Sequence, residues 1–172
     1  MNLEDKIRSI KDFPKEGIIF RDITTLLKDG DALYESIDQI EKSVEDLTFD
    51  IIIGPESRGF IFGVPLAYKM RKGFVPVRKA GKLPHKVVSQ SYELEYGTAT
   101  IEIHEDAILP GQRVLIVDDL LATGGTAKAI VKLIEKMGGE VAGFSFLIEL
   151  NGLSGRENLK DYEVRSILKF DW

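Results

Sequence analysis

The sequence predicts an α/β domain: a mostly parallel, Rossmann-like sheet flanked by helices. Three observations lead there. Apolar runs such as "IIIG" and "VLIV" lack the alternation of a half-exposed strand and suit strands covered on both faces. Segments of strand and helix character alternate along the chain, as in βαβ units. Charged residues recur where the apolar runs stop, at the carboxyl ends where such sheets bind ligands.

Each element follows in order. "LEDKIRSI" and "DALYESIDQIEKSV" carry apolar residues at helical spacing, with "DFPKEGIIFRDITTLLKDG" as the loop between them. "FDIIIGPES" reads as a short buried strand stopped by Gly54-Pro55. "GFIFGVPLAYKM" reads as a helix despite Pro65, and "GFVPVRKAG" as a second strand. From Val87 to Ile103, "VVSQSYELEYGTATIEI" alternates as two antiparallel strands turning near Glu95 to Thr98. "GQRVLIVDD" is the third core strand and "TAKAIVKLIEKM" its helix, stopped at Gly138-Gly139. "EVAGFSFLIEL" and "YEVRSILKF" supply the last two strands.

Length and composition narrow the function classes. At 172 residues, 44% hydrophobic and 30% charged, the chain fits one soluble domain with a real core. It has no cysteine, which excludes a disulfide framework or a thiolate metal site and suits a cytoplasmic setting. No apolar run approaches the roughly 18 residues of a membrane span, so neither a signal peptide nor an anchor is expected. A net charge of −5 disfavours nucleic acid as the main partner. His85 and His104 lack any partner spacing and do not propose a metal site.

The chemistry concentrates in "VLIVDDLLATGGTAKA", Val114 to Ala129. Two carboxylates, Asp118 and Asp119, end an apolar strand, and a glycine pair between threonines opens a helix. The plain alternative is a strand terminus followed by a turn and an N-cap. The functional reading is a nest of backbone N–H groups over Ala122, Thr123, Gly124, Gly125 and Thr126. Such a nest holds a phosphate at the positive end of a helix, with two threonine hydroxyls beside it. The aspartates would then accept from the vicinal hydroxyls of an attached sugar. Glu56 and Arg58, with Ser57 between them, and Arg78 and Lys79 put further charged and polar groups on the same rim. A Walker loop fails because "GPESRG" is followed by Phe60-Ile61. A receiver domain needs more chain after Asp119 than remains.

These residues resemble a known family. "VLIVDDLLATGGT" is similar to the phosphoribosyl pyrophosphate signature of the type I phosphoribosyltransferases. "DFPKEGIIFRDIT", "GPESRGFIFG", "GKLP" and "SYELEYG" resemble, in order and spacing, segments of the adenine-specific branch of that family. The resemblance covers about residues 13 to 157; "GLSGRENL" is less diagnostic.

The resemblance implies transfer of a phosphoribosyl group from phosphoribosyl pyrophosphate to adenine, giving AMP and pyrophosphate, as in purine salvage. It implies a single domain with a hood formed largely by residues 1–35 and a flexible hairpin lid over about 83–104. It places Ser57 and Arg58 at the pyrophosphate, with a cis Glu56–Ser57 peptide, and adds Arg78, Lys79 and Lys82 as positive charge. Ile19, Phe20 and Arg21 would surround adenine. Glu95 would handle the purine proton, Tyr96 would help close the lid, and Arg58 would join them as a catalytic group. Magnesium is the implied cofactor, carried by substrate oxygens and water and not by a dedicated protein cage, with Asp118 or Asp119 as the candidate protein contact. A homodimer is implied as well. A different class of function, a non-catalytic regulator that binds nucleic acid, would need an added DNA-binding segment and a more basic surface.

Overall fold

The computed structural model describes residues 1–94 and 96–172. Its main sheet has seven strands: β3 (Ile51–Pro55), β4 (Gly73–Lys79), β5 (Val87–Glu93), β6 (Thr98–His104), β7 (Arg113–Leu121), β8 (Glu140–Asn151) and β9 (Val164–Asp171), in the order β5-β6-β4-β3-β7-β8-β9. The five from β4 to β9 run parallel, while β6 and β5 form an antiparallel hairpin on the β4 edge. The expected mostly parallel sheet is present.

Three helices of three turns or more cover it. These are α2 (Gly30–Val44), α3 (Arg58–Met70) and α4 (Gly125–Lys136). On α2 the Asp29 side chain caps the amides of Asp31 and Ala32 at 3.1 and 3.2 Å. Pro65 lies inside α3 and removes the donor that would meet the Ile61 carbonyl, yet the helix continues. β7 shows why both sheet faces must be apolar. Leu115 and Val117 join a core with Ile40, Phe62 and Leu66, whereas Val114 and Ile116 join another with Ile130, Leu133 and Ile134. So α3 and α4 lie on opposite faces. The strand order reverses between β3 and β7, and a crevice opens there.

The expectation at the amino terminus is corrected. "LEDKIRSI" is not a helix but a 3-10 turn, Glu4–Lys6, followed by a strand, β1 (Arg8–Lys11). β1 pairs antiparallel with β2 (Ile19–Asp22), inside the stretch expected to be a loop. Leu3 and Ile7 are both buried, and their i, i+4 spacing produced the helical signal. Arg8 instead reaches across to Asp22, an ion pair that only the paired strands allow. Two further helical turns stand where none was expected: α1 (Thr24–Leu27), and α5 (Gly155–Asn158) within "GLSGRENL".

Candidate active site

β3 and β7 part company early. Their pairing ends at Ile53 and Ile116, while β7 continues beside β8 as far as Leu121. Asp118 and Asp119 therefore lie within β7, not at its last residue as expected, but beyond the edge that β3 covers. The gap is a cleft of about 700 Å³. Pro55 to Arg58, Val77 to Lys79 and the stretch from Asp118 to Ala127 line it, with Tyr92, residues 99–101 and Phe146 completing the wall. Glycine lets the walls approach. A Cβ on Gly59 would stand 3.1 Å from Asp118 Oδ1, and one on Gly54 would stand 2.9 Å from the Val117 carbonyl. The Glu56–Ser57 peptide between these glycines is cis.

The loop from Ala122 to Thr126 has the form of an anion cradle. Gly124 holds φ +85°, a conformation that disfavours any side chain, and its carbonyl starts α4 by accepting from the Lys128 amide at 2.9 Å. Among the described residues, nothing accepts from the amides of Thr123, Gly124, Gly125 or Thr126. The Thr126 hydroxyl meets the Tyr92 hydroxyl at 3.2 Å. These amides are unpaired donors at a helix start, beside open space.

Charge in the cleft is sorted into pairs. Arg58 Nε meets Asp119 Oδ2 at 2.7 Å, and the Asp119 amide donates to Asp118 Oδ1 at 2.8 Å. Burial, and then the neighbouring Asp119 charge, push the Asp118 carboxyl well above the usual aspartate range. Glu56 lies oppositely. Burial would raise its pKa, but the Lys79 amide at 2.6 Å, Lys82 Nζ at 3.0 Å and Arg78 Nε at 3.4 Å together lower it to about 2. Arg78 and Lys82 thus share one carboxylate.

The residues expected from sequence divide into three groups. Ser57, Arg58, Arg78, Lys79, Asp118, Asp119 and residues 122–126 all line the cleft. Lys82 does not, although it reaches Glu56. Ile19, Phe20 and Arg21 lie on β2, outside the cleft lining. Arg21 donates to Ser9 Oγ at 2.6 Å and the Asp171 carbonyl at 3.1 Å, and it stacks over Phe170. Phe20 is the link, since the Arg58 guanidinium stands 6.0 Å from its ring while pairing with Asp119. Tyr96 is exposed and off the lining, and Glu95 falls outside the described residues.

Sequence reasoning missed Tyr92, which brings the β5–β6 hairpin against the glycine loop. Its place in an alternating strand was a signal, but alternation does not say which face meets α4. The two histidines, isolated in sequence, meet edge to face at 5.9 Å. Among the described residues, no three His, Asp or Glu side chains converge as a metal cage.

Comparison with known proteins gives the geometry a context. A family model described as a phosphoribosyl transferase domain matches residues 23–172. The chain is 61% identical over 168 residues to an adenine phosphoribosyltransferase of Lachnoclostridium phytofermentans, covering 98% of this chain and 97% of that protein. The crystal structure of adenine phosphoribosyltransferase from Thermoanaerobacter pseudethanolicus superposes with a TM-score of 0.95 at 56% identity, covering 98% of this chain and 100% of that one. The Saccharomyces cerevisiae adenine phosphoribosyltransferase, solved with an imino-altritol bisphosphate and adenine, gives a TM-score of 0.90 at 39% identity, covering 96% of each chain.

Proposed function

The chain belongs to the phosphoribosyltransferase family, and from that membership we propose that it converts adenine and phosphoribosyl pyrophosphate to AMP and pyrophosphate. The observation that carries this reading is the set of unpaired amides from Thr123 to Thr126, beside two carboxylates in one cleft. A sugar phosphate fits that pattern. Its 5′-phosphate takes the amides and the threonine hydroxyls, and its ring hydroxyls donate to Asp118 and Asp119.

The reaction breaks the anomeric C–O bond as purine N9 forms a bond to the same carbon. Positive charge builds on the sugar, as in glycoside cleavage, and negative charge on the departing diphosphate. Asp118 and Asp119 favour the first. Ser57, Arg58, Arg78 and Lys79 accept the second, with Lys82 nearby. Asp118 or Asp119 would offer a hard oxygen to a magnesium ion brought in with the substrate, and the ion would supply charge neutralisation for the diphosphate. Phe20 stacks on adenine, reaching the cleft through Arg58, and the Ile19 backbone and Arg21 meet the edge of the base. Residues 1–35 act as the hood. The hairpin over 83–104 acts as the lid, bringing Tyr96 and Glu95 over the purine so that Glu95 takes the N9 proton. We expect a homodimer in the cytoplasm.

An assay decides it. The purified protein with magnesium and phosphoribosyl pyrophosphate consumes adenine and releases AMP, and Glu95→Ala lowers turnover without weakening phosphoribosyl pyrophosphate. Use of hypoxanthine or uracil with adenine ignored would overturn the base assignment.

A further inference from the structure

The segment "GLSGRENL" has no part in the chemistry above, yet it sits directly behind the glycine loop. Asn158 Nδ2, at the end of α5, donates to the Thr123 carbonyl at 2.7 Å. α5 packs so closely that a Cβ on Gly155 would collide with the Ala122 carbonyl, and one on Gly124 would stand 3.2 Å from the Gly155 carbonyl. The segment is in turn fastened to the sheet. Arg156 grips Glu149 of β8 through two bonds of 3.0 and 2.6 Å and donates to the Val164 carbonyl of β9 at 2.8 Å.

We propose that Asn158 is a positioning residue for phosphate binding: it holds the Thr123–Gly124 peptide so that the Gly124 N–H points into the cleft. This rests on reading residues 122–126 as the phosphate cradle. A trans peptide points its carbonyl and its N–H in opposite directions. With the Thr123 oxygen bound to Asn158 behind the loop, the Gly124 N–H faces forward. Glycine at φ +85° is the place where this plane turns over most easily, because no Cβ opposes the rotation. Turned over, it would show an anion a carbonyl oxygen in place of a donor. Asn158 is exposed and bonds only this carbonyl through its side chain among the described residues, so its replacement leaves the core untouched.

The test compares wild type, Asn158→Ala and Asn158→Asp. Ribose 5-phosphate binding is measured by calorimetry, KM for each substrate by initial rates, and Tm by thermal unfolding. Losing one such bond weakens ribose 5-phosphate and raises the KM for phosphoribosyl pyrophosphate about fivefold to tenfold. The KM for adenine and the Tm stay at wild-type values. Asn158→Asp loses more, since its carboxylate faces the carbonyl oxygen it should hold. Variants that bind ribose 5-phosphate like wild type overturn the proposal, as does an equal loss for adenine. If wild type itself fails to bind ribose 5-phosphate, the cradle reading falls first and this proposal with it.

Discussion

Asp118 carries a stability cost that its place in the cleft explains. Its carboxyl is held above the ordinary aspartate range by burial and by Asp119, so the folded chain binds a proton more readily there than the unfolded chain does. Stability therefore falls as pH rises from the unfolded value near 4 through the raised folded value, and the deficit persists at neutral pH. Glu56 has the reverse sign. Lowered from 4.5 to about 2, it contributes stability that is present above the unfolded value and lost as pH falls toward the folded one. Asp118→Asn relieves the like-charge repulsion. At pH 7 it should raise Tm by about 2–4 °C, roughly 1 kcal/mol, while weakening sugar-phosphate binding. Below about pH 4, where the acid is neutral in both states, the gain should vanish. Unfolding scans at the two pH values check this, and a Tm that drops at pH 7 contradicts it.

At the scale of elements, the β7–loop–α4 unit was legible in sequence and its brace was not. An apolar run, an acid pair and Gly124-Gly125 are local signals, and each marks a turn or strand that local sterics dictate. The hold of α5 on that loop is long-range, made by Asn158 and Gly155, and no periodicity reveals it. The same limit explains β1, where buried Leu3 and Ile7 mimic a helical face while the partner strand lies elsewhere in the chain. Space separates the two roles that glycine has here. A Cβ on Gly125 finds nothing nearer than 3.8 Å. Gly125→Val should therefore fold normally and lose ribose 5-phosphate binding by on the order of a hundredfold, because the side chain fills the space an anion needs. Circular dichroism with calorimetry reads both. An unfolded variant would mean that the glycine serves the turn alone.

Across the whole molecule, function follows from where the strand order reverses. β3 feeds α3 on one face and β7 feeds α4 on the other, so the two helix starts, with Arg58 and Gly125, flank one crevice. The alternation of strands and helices predicted the sheet and the rim. It could not predict that β7 runs on past Asp119, because that depends on how far β8 keeps pace beside it. Nor could it place Phe20, whose ring stands 6.0 Å from the Arg58 guanidinium at the cleft. The most direct test is a crystal structure with AMP at saturating concentration. The phosphate oxygens should lie about 2.7–3.2 Å from the amide nitrogens of residues 123–126, with the ribose hydroxyls on Asp118 and Asp119. A phosphate seated instead against Arg78 and Lys79, with those amides bare, would contradict the account.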